Sequence, residues 1–201
     1  MQGADVIISA VVSKEIIVAA RNVAPHLSAG QYYLDINSTS PAAKKEAAAI
    51  VEASSACFVE AAVMDLVPPH GHKVTMLLAG NKSQALQDVL LPYGMNVKSI
   101  GTEIGNASSV KMVRSVFMKG FTSILLESLH AAHKLNAEDA VLESLQVTFP
   151  GMDWKDIADF YASRLILHAK RQSEEMHSVS DTMRGHGVEP IASDATSRRL
   201  A

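Results

Sequence analysis

The segment Gly105-Asn-Ala-Ser-Ser-Val-Lys111-Met-Val-Arg114-Ser115 places a lysine, an arginine and a serine at spacings suited to proton transfer and anion binding. Residues three and four apart on a helix share a face, so Lys111, Arg114 and Ser115 form one polar strip. A lysine near a helix start feels both desolvation and the positive end of the helix dipole. Each disfavours the ammonium form, which suits a general base. The more ordinary outcome is a lysine that snorkels to solvent beside the cap, and position alone leaves both readings open. Arg114 offers a planar fork for a carboxylate or phosphate, or one half of a structural ion pair.

The elements that must position this strip follow from periodicity. Val110, Val113, Val116, Phe117, Phe121, Ile124, Leu125, Leu129 and Ala132 recur at steps of three and four, which predicts one helix to about Leu135. Its apolar surface is so wide that it reads as a buried spine. Upstream, strands are expected at Ala4 to Val12, Gln31 to Ile36, Cys57 to Val63, Val74 to Ala79 and Met95 to Ser99. Between them lie helices from Lys14 to Leu27, from the Ser40-Pro41 cap to about Ser54, and from a cap at Asn81 or Ser83 to Leu91. Past Gly105 the strand signals vanish. Helices are expected over Ala137 to Phe149 and Asp153 to about Met183, with possible breaks, followed by a tail containing Gly185, Gly187 and Pro190. The pattern is α/β through about residue 104, then all-α.

Composition narrows the function. A net charge of −3 gives no broad attraction for nucleic acid or anionic lipid, so neither is an expected partner. No apolar run reaches the roughly 18 residues that span a bilayer, no signal peptide is visible, and a cytoplasmic location is expected. The single cysteine, Cys57, reads as core rather than as part of a disulfide or zinc site. His70 and His72 read as exposed loop residues lacking a third metal ligand, so no metal is expected. His130 and His133, one turn apart, read as hydrogen-bonded packing residues without an acidic partner, and Lys44-Lys45 as a solvated helix face. Gly80-Asn-Lys-Ser83 lacks the features of a phosphate loop. No G-x-G-x-x-G occurs anywhere, although a nucleotide-binding sheet opens on such a turn.

Three motifs in order resemble the β-hydroxyacid dehydrogenase superfamily, which includes 6-phosphogluconate and 3-hydroxyisobutyrate dehydrogenases. Asp35-Ile-Asn-Ser-Thr-Ser-Pro41 is similar to the family's Asp-x-x-[Ser/Thr]-x-x-Pro loop. Val59-Glu-Ala-Ala-Val-Met-Asp65 matches Asp-Ala-Pro-Val-Ser-Gly-Gly in part, with Glu60 for Asp, Ala62 for proline, Met64 for serine and Asp65 for the first glycine. Gly105-x-Ala-x-x-x-Lys111-x-x-Arg-Ser115 is similar to Gly-x-Gly-x-x-x-Lys-x-x-x-Asn, with Ser115 in place of the asparagine. These variants look most like a phosphogluconate-dehydrogenase-like branch.

The resemblance implies a partial Rossmann-like parallel sheet over residues 1–104 and a 6-phosphogluconate-dehydrogenase-like helical domain for substrate binding and dimerisation over residues 105–201. It implies a small hydroxy acid substrate, NAD or NADP as cofactor, and a homodimer built through the helical domain. Lys111 takes the place of the catalytic lysine. Ser38, Ala62, Val63, Met64, Arg114 and Ser115 fall at substrate positions, and Val11, Val12 and Ser38 at cofactor positions. In relatives, hydride passes to the cofactor while the lysine removes the hydroxyl proton. The first strand here resembles the fourth of such a domain, so the chain is expected to start inside the cofactor domain and to bind NAD(P) poorly or not at all by itself. The competing readings are a catalytically silent oligomerising protein and a ligand-binding module.

Overall fold

The computed structural model describes residues 3–201, apart from the side chain of residue 166. The apolar runs of the first half form β1 (Val6–Ser9), β2 (Tyr32–Asp35), β3 (Cys57–Val63), β4 (Met76–Ala79) and β5 (Val97–Ser99), joined in one sheet in the order β1-β2-β3-β4-β5. Helices α1 (Ile16–Val23), α2 (Pro41–Glu52) and α4 (Ser83–Leu90) connect them, with a single turn, α3 (Val67–His70), in the link after β3. Alternation along each strand feeds two apolar layers. Tyr33 and Phe58 pack with Ile16, Ala20, Ala47 and Val51 on one face. Leu34, Val59 and Leu78 pack with Leu86 and Leu90 on the other. Both faces are covered, which explains strands that read as near-continuous apolar runs.

The sheet is mixed rather than wholly parallel. β1, β2 and β3 are parallel neighbours, as are β4 and β5, but β4 runs antiparallel to β3. The β3–β4 link carries Pro68, Pro69 and Gly71 and holds no helix long enough to cross back over the sheet, so the chain simply turns round. Gly80 ends β4 at φ +127°, and a Cβ there would lie 2.9 Å from both Ile104 Cδ1 and the Phe58 carbonyl oxygen. Only glycine lets the segment before the long helix close down on β3. The predicted caps of α4 do not form: Lys82 occupies the cap position without a side-chain bond. Ser83 instead pairs with the Ser99 hydroxyl at 2.7 Å and lies 3.1 Å from the Gly101 carbonyl, tying α4 to β5 and the loop after it.

Beyond the sheet come α5 (Asn106–Lys134), α6 (Glu138–Thr148), α7 (Trp154–Gly185) and α8 (Ile191–Leu200). The chain divides into two compact units between Met112 and Val113, inside α5. In the second unit Phe121 packs on Trp154 and edge-on to Tyr161, with ring centroids 6.0 and 5.7 Å apart. Asp153 caps α7 through the Asp156 amide. The segment read as a tail contains α8, which was hidden because its buried side chains include Ser193 and Thr196. Reciprocal hydroxyl-to-carbonyl bonds between Ser173 and Ser197, and the Arg184–Asp194 ion pair, hold it to α7.

The spine reading of α5 needs correction. Its buried residues include Ala107, Ser108, Thr122, Ser123 and Ala132, whereas Phe117 and Ile124 are 71% and 72% exposed. Met112 and Leu125 are buried as well, so the inner face mixes bulky residues with small ones that allow close approach of neighbouring backbone, while other bulky apolar residues face outward. His130 and His133 are exposed as well, and His133 has an acidic partner after all, Glu138 at 2.8 Å. No helix among the described residues is long and apolar enough to cross a membrane.

Candidate functional site

The register of the parallel strands sets Glu60, in the middle of β3, in line with Ser9 and Asp35, which stand at the carboxyl ends of β1 and β2. In open α/β sheets that end of the strands is where ligands bind. All three residues are buried, Asp35 and Glu60 completely. Two carboxylates in an apolar interior require a counter-charge. Lys44 of α2 supplies it: it is 1% exposed, with Nζ 3.0 Å from the Asp35 carbonyl and 3.3 Å from Asp35 Oδ1. This overturns the solvated-face reading of Lys44, because Lys44, Ala47, Ala48 and Val51 lie at helical spacings on the inner face of α2. Burial holds the Lys44 ammonium below its ordinary pKa, against the opposing pull of the Asp35 and Glu60 charges. Burial likewise raises the phenol of neighbouring Tyr33, while a bond to Ser9 works to lower it.

Asn37 extends the network into the loops. Its Nδ2 donates to Asp35 Oδ1 at 2.5 Å and to Ser9 Oγ at 3.0 Å, and its Oδ1 accepts from the Val11 amide at 2.6 Å. The Ser13 hydroxyl donates to the Ser38 carbonyl. Through these bonds the loops after β1 and β2 are clasped together. Val11, Val12 and Ser38, the expected cofactor positions, are thereby gathered as exposed residues at one strand edge.

Glu60 serves the other side. Its Oε1 accepts from the Gly105 and Ala107 amides at 2.7 and 2.9 Å, and its Oε2 lies 3.0 Å from the Ser108 hydroxyl. The first amides of a helix have no partner within it, and the dipole favours an anion there, so Glu60 caps α5 from the centre of the sheet. Gly105 stands at φ +104°, and a Cβ there would lie 3.1 Å from Pro41 Cβ and 3.3 Å from Lys45 Cε. The start of α5 therefore packs closely against the start of α2. Lys111 is half-buried in the second turn of this anchored helix.

The remaining expected residues are placed as follows. Ala62 is buried with Ala79 and Ala107, Val63 ends β3, and Met64, half-buried, donates its amide to the Thr75 carbonyl. Arg114 is exposed and Ser115 half-buried on α5. Sequence reasoning missed Asn37, Lys44 and the capping role of Glu60. A glutamate inside the apolar run Cys57 to Val63 was a signal that a partner must exist. The partner's identity was not readable, because Gly105 to Ser108 lie far along the chain. No cluster of His, Cys, Asp or Glu suited to a metal occurs among the described residues.

A mostly parallel sheet crossed by a buried polar row, followed by a long helix and an all-α unit, is a hydroxyacid dehydrogenase-like fold. Comparison bears this out. A conserved hypothetical protein from Sinorhizobium meliloti is 38% identical with a TM-score of 0.81 over 98% of this chain and 66% of its own. A conserved protein of unknown function, described as structurally similar to 3-hydroxyacid dehydrogenases, is 34% identical with a TM-score of 0.79 over 96% of this chain and 72% of its own. The 3-hydroxyisobutyrate dehydrogenase of Salmonella typhimurium shares the fold at 17% identity and a TM-score of 0.75, over 98% of this chain and 72% of its own. A family described as domain of unknown function DUF1932 matches residues 132–201. The chain belongs to the β-hydroxyacid dehydrogenase-like family, and it spans just under two thirds of the length of the Sinorhizobium relative.

Proposed function

We propose that the protein is an NAD(P)-dependent oxidoreductase that oxidises the hydroxyl of a small hydroxy acid, with Lys111 as general base. The observation that carries this reading is that Glu60, which anchors the Lys111 helix, stands in line with Ser9 and Asp35, to which Asn37 ties the Val11 loop. Exposed Val11 and Val12 offer an apolar surface, and Ser38 a hydroxyl, that fit a nicotinamide ring and its carboxamide. The nicotinamide supplies the hydride acceptor. Lys111 in its neutral form takes the hydroxyl proton at Nζ. Arg114 and Ser115, three and four residues further along the same helix, hold the substrate carboxylate, and Met64 lies at the edge of the substrate loop. A homodimer through the helical unit belongs to the same proposal, supported by the exposed Phe117, Ile124 and Leu167.

The test is turnover of a panel of small hydroxy acids with NAD or NADP by the protein expressed from its whole reading frame. Lys111→Met is expected to lower kcat by at least the ~100-fold typical of a lost general base, with the circular dichroism spectrum and cofactor affinity retained. Undiminished turnover in that variant would remove Lys111 from the role.

A further inference from the structure

We infer that Glu60 is a positioning residue for Lys111, selected for reach rather than for charge. The inference builds on the reading of Lys111 as the base, but its geometry is independent of turnover. Each residue of an α-helix turns the next by about 100°, so a start displaced by one residue carries a side chain one turn later to another face. Lys111 follows Ala107 by four residues and Ser108 by three, directly above the groups that Glu60 holds. Gly105 and Ala107 are buried, so water does not serve their amides if the carboxylate withdraws, whereas the Ser108 hydroxyl also lies 3.0 Å from the Gly105 carbonyl. Glu60 itself stands in β3 between two bonded strands, with no freedom to follow a shifted helix. The backbone of β3 thereby dictates the rotation of α5 and the direction of Lys111. The residue at this place is a glutamate where the resembling motif has an aspartate, and the extra methylene lets one oxygen bridge two amides while the other meets Ser108.

Reach and charge are separable by substitution. Glu60→Gln keeps the length and an accepting oxygen but removes the charge. Glu60→Asp keeps the charge but withdraws it by one methylene. Two readouts apply to the intact chain: hydrogen exchange of the Gly105 and Ala107 amides, and the pH profile of trace acetylation of the Lys111 amine, resolved by peptide mass spectrometry. In the unsubstituted protein both amides are expected to exchange at least about tenfold more slowly than unbonded first-turn amides. Glu60→Gln is expected to keep the exchange rates and the Lys111 profile. Glu60→Asp is expected to speed exchange about tenfold and to displace the Lys111 profile. The inference is overturned if the unsubstituted amides exchange freely, a result that needs no variant to fold. It is also overturned if Gln disturbs Lys111 as much as Asp does, or if Asp changes exchange while leaving the Lys111 profile unmoved, which would mark a purely structural cap. Labelling as expected in a protein that turns over no hydroxy acid would reject the dehydrogenase reading and leave the positioning role standing.

Discussion

Tyr33 and Lys44, both buried beside Asp35, pull stability in opposite directions with pH. The Tyr33 phenol is raised above its ordinary 10.0, chiefly by burial. Above that pH the unfolded chain sheds a proton that the folded chain retains. Stability from keeping Tyr33 neutral is thus fully present below pH 10.0 and is lost as pH climbs toward the folded value. Lys44 acts with the other sign. Its ammonium is held below the ordinary 10.5, so beneath that value the unfolded chain binds the proton more firmly, and stability rises as folded Lys44 deprotonates. Replacing Tyr33 by Phe isolates the first effect: denaturant titrations from about pH 9 to about pH 11 are expected to show a shallower fall for Tyr33→Phe than for the parent. At neutral pH the variant is expected to be less stable by about 1 kcal/mol, through loss of the hydroxyl contact with Ser9. Parallel curves in the alkaline range would place the titrating group elsewhere.

At the scale of elements, the first unit depends on segments that approach too closely for any side chain. Gly80 is the sharpest case, since both β3 and the segment before α5 use the space its missing Cβ leaves. Gly80→Ala combines a positive φ with a clash against the Phe58 carbonyl, and is expected to destabilise the protein by about 2–4 kcal/mol. The measurement is the midpoint of urea unfolding, and an unchanged midpoint would mean the backbone relaxes at no cost. The same approach carries Gly105 and Ala107 within reach of Glu60, so a disturbed Gly80 is transmitted to the helix that bears Lys111. α5 itself shows how apolarity misleads when small residues share the inner face with bulky ones. Its period of three and four was legible, whereas the side it buries was set by how near the backbones come.

For the whole molecule, the outward apolar residues of the helical unit set an expectation for assembly. Phe117, Ile124 and Leu167 are each more than 70% exposed in the single chain, and Phe117 stacks on Phe121 at 6.4 Å. If a second copy covers them, Phe117→Asp removes a buried aromatic and inserts a charge. The dimer dissociation constant is then expected to rise at least about tenfold, since a fully buried Phe contributes roughly 1.5–3 kcal/mol. Sedimentation equilibrium of parent and variant decides this, and a parent protein that stays monomeric at micromolar concentration ends the dimer proposal.

The sequence by itself determined the order of elements, the change from α/β to all-α, and the position of Lys111 near the start of a long helix. These rest on local periodicity and turn chemistry, which act over a few residues. Glu60 inside an apolar strand also carried a signal that a buried charge needed a partner, whereas Lys44 read as a solvated residue beside Lys45. Tertiary structure alone decided which partners. Asp35 meets Lys44 because β2 and α2 close on one another, and Glu60 meets Gly105, Ala107 and Ser108 because a glycine at position 80 lets distant segments touch. The direction of β4, the inner face of α5 and the docking of α8 on α7 were decided the same way. Each depends on close approach between residues remote in the chain, and no local pattern encodes that distance.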